Sequence, residues 1–233
     1  MIRIKIWSDF ACPYCYIGER RLESAIKQLN LEKEVDIVYK AFELDPYASK
    51  EVGAKIPERI ARKYRLSPED ALEKVEEISS LGRELGIDMS YKDSQYSNTF
   101  DAHRLMKLAE DRYDRETVER LNENLFSAYF TKGLVLANPE VLIKIGKESG
   151  LKEDDIKDVL GTDKYTEQVH RDEKEAAMLC VRGVPFIVFN DEFAVPGAFS
   201  IDGFVAALER ALNRSAGSDQ EKARQCGPEG CEI

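Results

Sequence analysis

The sequence predicts an α/β protein, with a small sheet unit assembled from the two ends of the chain and interrupted by a large all-helical insertion. Three observations predict it. Residues 2–42 read as strand, helix, strand; residues 56–180 carry helical patterning; and residues 186–212 return to a hairpin followed by one helix. Removing the middle leaves β-α-β joined to β-β-α, enough for one sheet with helices against it.

Each element has its own reason. Residues 2–7, IRIKIW, alternate apolar and polar with β-branched side chains, the pattern of a half-buried strand. After a short loop, Leu22, Ala25, Ile26 and Leu29 fall on one face of a helix whose start is Cys12-Pro13-Tyr14-Cys15. Residues 35–42, VDIVYKAF, form a second strand. In the helical block, Ser67-Pro68-Glu69-Asp70 supplies a cap, a proline for the first turn and two acids at the positive end of the helix dipole. Asn138-Pro139-Glu140 repeats that grammar. Asn98 or Thr99 opens another helix, Val118, Leu121, Leu125 and Tyr129 mark the apolar face of the next, and Gly150 and Gly161 read as stops. Beyond the block, the runs 186–189 and 193–195 flank an Asn190-Asp191-Glu192 turn. Ser200 caps a last helix whose inner face is Ile201, Phe204, Val205, Leu208 and Leu212. From Asn213 to Ile233 apolar content almost vanishes, and the segment reads as a mobile tail.

A chain of 233 residues, 43% hydrophobic and 33% charged, buries enough surface to stand without disulfide staples. Its 34 basic against 44 acidic residues give a net charge of −10. That balance, with no basic stripe, argues against nucleic acid and against anionic membranes as partners. The N-terminus lacks the apolar core of a secretory signal and no run of 18 apolar residues occurs. The expected compartment is the cytoplasm, where cysteines are catalytic, metal-binding or inert more often than structural.

The five cysteines are Cys12, Cys15, Cys180, Cys226 and Cys231. The thiolate is the nucleophile of disulfide exchange, and a helix N-terminus stabilises it with partial positive charge and unpaired N–H groups. Cys12 stands just before the helix, where its sulfur is expected to accept such N–H bonds. Cys15 lies one turn inside, close enough to close a ring. Pro13 fits the first helical position because its missing N–H costs nothing there. A CxxC at a strand-to-helix junction reads as a thioredoxin-like redox motif, with Cys12 as attacking and Cys15 as resolving thiol. A zinc knuckle half is the alternative. Val184-Pro185 before the third strand is the second signal: in thioredoxin-like folds a proline here is cis, faces the cysteines, and its predecessor offers backbone to a peptide or to glutathione.

At these residues the chain resembles the DsbA family of thioredoxin-like oxidoreductases, and within it the FrnE-like branch. The matching stretches are residues 8–18, SDFACPYCYIG; 98–104, NTFDAHR; 181–186, VRGVPF; and 196–198, PGA. The resemblance spans residues 1 to about 213. It implies a thioredoxin-like fold interrupted by a helical domain, with residues 1–50 and 181–213 forming the thioredoxin-like domain, 51–180 the insertion and 214–233 a tail. It also implies catalysis by Cys12, Cys15 and the cis-proline Pro185. Pro13, Tyr14, Val184, Asn98 and His103 are the expected substrate contacts, with a plain helix cap for Asn98 and a structural role for His103 as the competing readings. No bound cofactor is expected. Partners would be protein or low-molecular-weight disulfides, with glutathione or a thioredoxin-type reductant as electron donor. The pair Cys226 and Cys231, in the turn-forming CGPEGC, reads as a second mobile dithiol exchanging with the first, against a four-thiol metal site or an accidental pair. Kappa-class glutathione transferases and 2-hydroxychromene-2-carboxylate isomerases share this resemblance but typically lack the second cysteine, so Cys15 favours redox work. Cys180 reads as an inert buried thiol, His170 as surface and Trp7 as core.

Overall fold

The computed structural model describes residues 1–51 and 53–225. Strand β1 (Ile2–Ser8) leads through a short loop into α1 (Pro13–Gln28), and β2 (Val35–Ala41) returns parallel to β1. Strands β3 (Phe186–Phe189) and β4 (Phe193–Pro196) form an antiparallel hairpin, and β3 pairs antiparallel with β1. The sheet order is therefore β2-β1-β3-β4, with Ile6 opposite Tyr39 on one side and Ile187 on the other. The two ends of the chain meet in one sheet, and the fold is mixed α/β.

Alternation decides which side of β1 faces which partner. Ile2, Ile4 and Ile6 are buried on one face, where α1 contributes Leu22, Ala25 and Ile26, and α9 (Ile201–Gln225) contributes Phe204, Leu208 and Ala211. Trp7 points to the opposite face and is fully buried there, its indole N–H donating to the Asp172 carbonyl at 3.0 Å. Asp172 belongs to α8 (Thr166–Met178). Its carboxylate takes Lys40 of β2 at 2.8 Å and Lys107 at 2.7 Å, and accepts from the Ala41 N–H at 3.1 Å. Charges this buried persist only when paired, so this network pins α8 across β2.

Between β2 and β3 run α2 (Ile56–Tyr64), α3 (Pro68–Arg83), α4 (Phe100–Arg112), α5 (Arg115–Phe130), α6 (Pro139–Ser149), α7 (Glu153–Leu160) and α8. The caps are where the sequence places them. Ser67 Oγ accepts from the Asp70 N–H at 3.1 Å, and Asn138 Oδ1 accepts from the Glu140 N–H at 3.0 Å. Val118, Leu121, Leu125 and Tyr129 are all buried. Gly150 ends α6 with φ +101°, the left-handed turn that glycine adopts without strain. Gly161 also ends its helix, but with φ −90°, so no left-handed requirement applies there.

Helix α9 departs from the sequence reading. It continues to Gln225, past Leu212, where the apolar face ends. Loss of apolar content reads as tail, yet the segment is rich in Glu, Lys, Ala, Arg and Gln, which favour helix without a packing partner.

Candidate active site

The loop between β1 and α1 positions Cys12. The Cys12 N–H donates to the Asp9 carbonyl at 3.0 Å, and the Cys15 N–H donates to the Cys12 carbonyl at 3.1 Å, which starts the helix. Cys12 is the N-cap, in extended conformation, with Pro13 in the first turn. Both cysteines are free thiols; Cys12 is 5% exposed and Cys15 fully buried. The sulfur of Cys12 makes no capping bond to the helix N–H groups. It lies 3.5 Å from the Val184 carbonyl and donates to it, because a protonated thiol seeks an acceptor. The Val184–Pro185 peptide bond is cis. Gly18 makes this approach feasible, since a Cβ there would lie 3.1 Å from Pro185 Cγ and 3.3 Å from Ala198 Cβ. The structure thus joins Cys12, Cys15, Val184 and Pro185 across more than 160 residues of intervening chain.

Above Cys12 opens a cavity of about 300 Å³. Cys12, Pro13 and Tyr14 form one side, and Tyr14 is exposed at the rim. The other side comes from the helical block: Arg59, Lys63 and Tyr64 of α2, Lys74 of α3, and the phenols Tyr91 and Tyr96. Arg59 stacks on the Tyr96 ring at 3.3 Å and pairs with Asp45 at 3.2 Å. Lys63 and Lys74 both face the Tyr64 ring, at 5.5 and 6.0 Å. Burial pushes the Tyr91 and Tyr96 phenols up, so both stay neutral hydrogen-bonding groups. Sequence reasoning missed this wall. Its signal is the basic run Arg59, Arg62, Lys63 and Arg65 in an acidic chain. Two larger grooves, of about 620 and 590 Å³, flank α2 and contain neither cysteine.

Behind the thiols the lining turns acidic and dry. Asp9 is 2% exposed, and its carboxylate accepts from the Ala11 N–H at 3.1 Å, the Leu44 N–H at 2.7 Å and Thr99 Oγ1 at 2.8 Å. His103, expected as a substrate contact, is buried here instead, Nε2 3.7 Å from Asp9 and its ring packed on Phe10. Asn98 is also buried. Its Oδ1 accepts from the Phe100 N–H at 3.0 Å, one residue ahead of the α4 N-cap Thr99, and its Nδ2 donates to Glu43 at 3.3 Å; it does not line the cavity. Burial raises the Glu43 carboxyl to about 7. Glu19, also buried, accepts from Ser8 Oγ at 2.8 Å and from Asn122 Nδ2 at 2.6 Å, and burial pushes its carboxyl up to about 8. The Cys15 thiol is raised well above its ordinary value, first by burial and then by the neighbouring Cys12, with the Asp9 backbone and the Ser8 side chain acting in the opposite sense.

Other sequence readings resolve plainly. Cys180 is exposed, not buried. It sits at φ +56° just past α8, its N–H bonded to the Ala177 carbonyl and the Val181 N–H to the Ala176 carbonyl. The helix ends there, so the apolar face that carries Ala176 no longer governs where Cys180 points. His170 is half exposed beside Glu173. Cys226 and Cys231 lie outside the described residues. Among the described residues no cluster of three or more His, Cys, Asp or Glu is arranged to hold a metal ion, and no helix is long and apolar enough to cross a membrane.

Comparison with known proteins bears on the family and the fold. A crystal structure described as a probable DsbA oxidoreductase from Streptomyces coelicolor superposes with a TM-score of 0.85 at 30% identity, covering 100% of this chain and 99% of that one. The uncharacterized protein YwbO of Bacillus subtilis is 25% identical over 209 residues, 89% of this chain and 96% of its own. The cytosolic disulfide reductase DsbM of Pseudomonas aeruginosa, solved with GSH, shares the fold at 14% identity and a TM-score of 0.60, covering 91% of this chain and 99% of that one. The DSBA-like thioredoxin domain profile matches residues 3–209, nearly the whole chain, and the protein belongs to that family.

Proposed function

We propose that this protein is a thiol–disulfide oxidoreductase in which Cys12 is the nucleophile and Cys15 the resolving thiol. The observation that carries the reading is the asymmetry of the pair: Cys12 borders an open cavity beside Val184 and Pro185, while Cys15 is sealed beneath it. The Cys12 thiolate attacks a substrate disulfide, one substrate sulfur leaves as thiolate, and a mixed disulfide forms. Cys15 then attacks the Cys12 sulfur, the second substrate sulfur leaves, and the cysteine pair ends oxidised by two electrons. Val184 and Pro185 offer backbone to the substrate, and Pro13 and Tyr14 contact it at the rim. The chemistry needs no bound cofactor.

The cavity also favours a kind of substrate. Lys63 and Lys74 make no ion pair within 4 Å among the described residues, and the walls are aromatic. A low-molecular-weight or peptide disulfide with carboxylates near the sulfur fits that lining, and glutathione disulfide is the simplest example. The GSH complex of DsbM supports this choice of thiol. A thioredoxin-type reductant is an alternative donor, and Cys226 with Cys231 would relay electrons if the second dithiol reading holds.

The test is an equilibrium titration in glutathione buffers read by alkylation mass shifts. A single two-electron transition at Cys12 and Cys15, lost in Cys12→Ser, is expected. Glutathione conjugation or isomerisation that survives Cys15→Ser, with no such transition, would replace this reading by that of a glutathione-dependent transferase.

A further inference from the structure

Among the described residues four tyrosines line the cavity above Cys12, and one of them differs from the rest. Tyr14 and Tyr64 are exposed, and the Tyr96 hydroxyl donates to Asp45 at 3.2 Å. Tyr91 is 7% exposed, yet its hydroxyl makes no hydrogen bond among the described residues. A buried phenol ordinarily finds a partner. Tyr129, which packs on the same Phe130 ring, also has an unpartnered hydroxyl, but that one is sealed in the core and lines no part of the cavity. The Tyr91 hydroxyl is not sealed, and it opens on the cavity that holds Cys12.

The surroundings hold this donor in place. Tyr91 opens a short 3-10 turn, Tyr91–Asp93, between α3 and α4. Its N–H donates to Ser79 Oγ of α3 at 3.3 Å. On either side, the Ser90 N–H donates to the Phe130 carbonyl at 2.8 Å and Ser94 Oγ to the Tyr129 carbonyl at 2.7 Å, both at the end of α5. The ring packs on Phe130 with centroids 5.3 Å apart. A donor fixed this way costs no reorganisation when charge develops in front of it. Burial, and after it the charge of Cys12, push the phenol up, so its proton stays in place to be donated.

We propose that Tyr91 is a further catalytic residue, the hydrogen-bond donor to the substrate sulfur that leaves when Cys12 attacks. Disulfide exchange runs in line, so the leaving sulfur lies beyond the attacked one as seen from Cys12. Cys12 is on one side of the cavity and Tyr91 on the helical side opposite. The Cys12 thiolate forms a bond to the first substrate sulfur, the substrate S–S bond breaks, and its electron pair goes to the leaving sulfur as thiolate. The Tyr91 O–H donates to that charge and keeps its own proton; the thiolate takes a proton from water after it departs. When Cys15 closes on Cys12, the second sulfur is expelled into the same cavity and meets the same donor. An alkyl thiolate concentrates its charge on sulfur and needs this help, whereas an aromatic thiolate spreads the charge into its ring. The site is therefore built for aliphatic, cystine-type disulfides, which are poor leaving groups.

This inference rests on the redox reading, and one experiment separates the two. The reduced full-length protein is mixed with either glutathione disulfide or 5,5′-dithiobis(2-nitrobenzoate), both of them carboxylates, and quenched with acid. Loss of the free Cys12 thiol is then counted on its own peptide by mass. Tyr91→Phe removes one oxygen, leaves no protein group unpaired and keeps the packing on Phe130, so it should fold as the wild type does. It should react about 20-fold more slowly with glutathione disulfide, but within about threefold of wild type with the aromatic disulfide. Because a neutral donor is not screened, 0.5 M salt should leave both ratios as they are. Tyr129→Phe, whose hydroxyl is sealed away from the cavity, should match the wild type with both reagents. Equal slowing with the two disulfides, or none with either, in folded Tyr91→Phe would overturn the assignment, as would a ratio that salt erases. Failure of the wild type to lose its Cys12 thiol to either disulfide would instead overturn the redox reading, and the role of Tyr91 with it.

Discussion

The two sides of the Cys12–Cys15 pair are built from opposite charge. On the open side stand Arg59, Lys63 and Lys74, set among tyrosines. On the sealed side stand Asp9, Glu19 and Glu43, all under 9% exposed. A chain of net charge −10 has thus gathered cations where water reaches and placed carboxylates where it does not. The first arrangement costs little, because exposed ammonium groups keep their hydration. The second is expensive, and each carboxylate answers the cost differently. Asp9 is saturated by two backbone N–H groups and a hydroxyl, so it clamps the β1–α1 loop. Glu19 and Glu43 have fewer donors and respond by holding their protons, to about 8 and about 7. The open side bears on which substrate arrives and the sealed side on how stability depends on pH.

The comparison breaks most sharply at its centre. Cys12→Ser should reduce disulfide turnover to background, while Cys15→Ser should accumulate the mixed disulfide at Cys12; quenched mass analysis distinguishes the two. Equal loss of adduct in both would mean that the thiols are not divided between an open and a sealed side.

The next effect is one of stability. The folded Glu19 carboxyl titrates near 8 against an ordinary value of 4.5, so between these pH values the folded state binds the extra proton. Stability must therefore fall as pH rises through that window, and the full loss is present above 8. Glu19→Gln removes the titration. Relative to wild type it should gain up to about 5 kcal/mol between pH 4 and pH 9, with relaxation of the site lowering that figure. Urea denaturation across that range checks it. Glu43→Gln should act in the same direction with a smaller gain, complete about one pH unit earlier. A flat difference between variant and wild type would mean that Glu19 is not sealed.

These predictions bear on what could be read from the chain alone. The strands, the α1 start and the caps at Ser67 and Asn138 were legible because their causes are local: alternation, a proline, a side chain two or three residues from its N–H. The mixed sheet followed from element order, and the DsbA likeness from four short stretches. Burial depth was not legible where the pattern is silent. Glu19 and Glu23 look alike in sequence, both polar residues on a helix, yet only Glu19 is drawn under β1 by Ser8. Asn98 and His103 mark a helix start, but which side of that helix meets the cavity depends on how α4 packs, and it packs with both residues inward. The cationic wall is carried by α2 and α3, which local sequence does not connect to Cys12.

On the open side the expected effect is moderate. Lys63→Glu with Lys74→Glu should lower kcat/KM for glutathione disulfide roughly tenfold at low salt. The same pair should leave an uncharged disulfide such as hydroxyethyl disulfide within about twofold, and 0.5 M salt should erase most of the difference. Equal loss for both substrates would mean that the lysines support the fold of the wall and do not select charge.

The smallest effect belongs to the third described thiol, which stands on neither side. Cys180 is exposed and holds φ +56° at the end of α8, a conformation in which a side chain is strained and glycine is not. Its backbone bonds to Ala177, and the Val181 bond to Ala176, close the helix without using the sulfur. Cys180→Gly should therefore keep both bonds and gain about 0.5–1 kcal/mol, read as a small rise in Tm. Cys180→Ser, which keeps the strain, should leave Tm unchanged within error. Neither should alter adduct formation at Cys12 or its resolution by Cys15. If Cys180→Ser slows resolution, the sealed side is not the sole source of the second thiol, and the division between open and sealed faces would have to admit a third route for electrons along the end of α8.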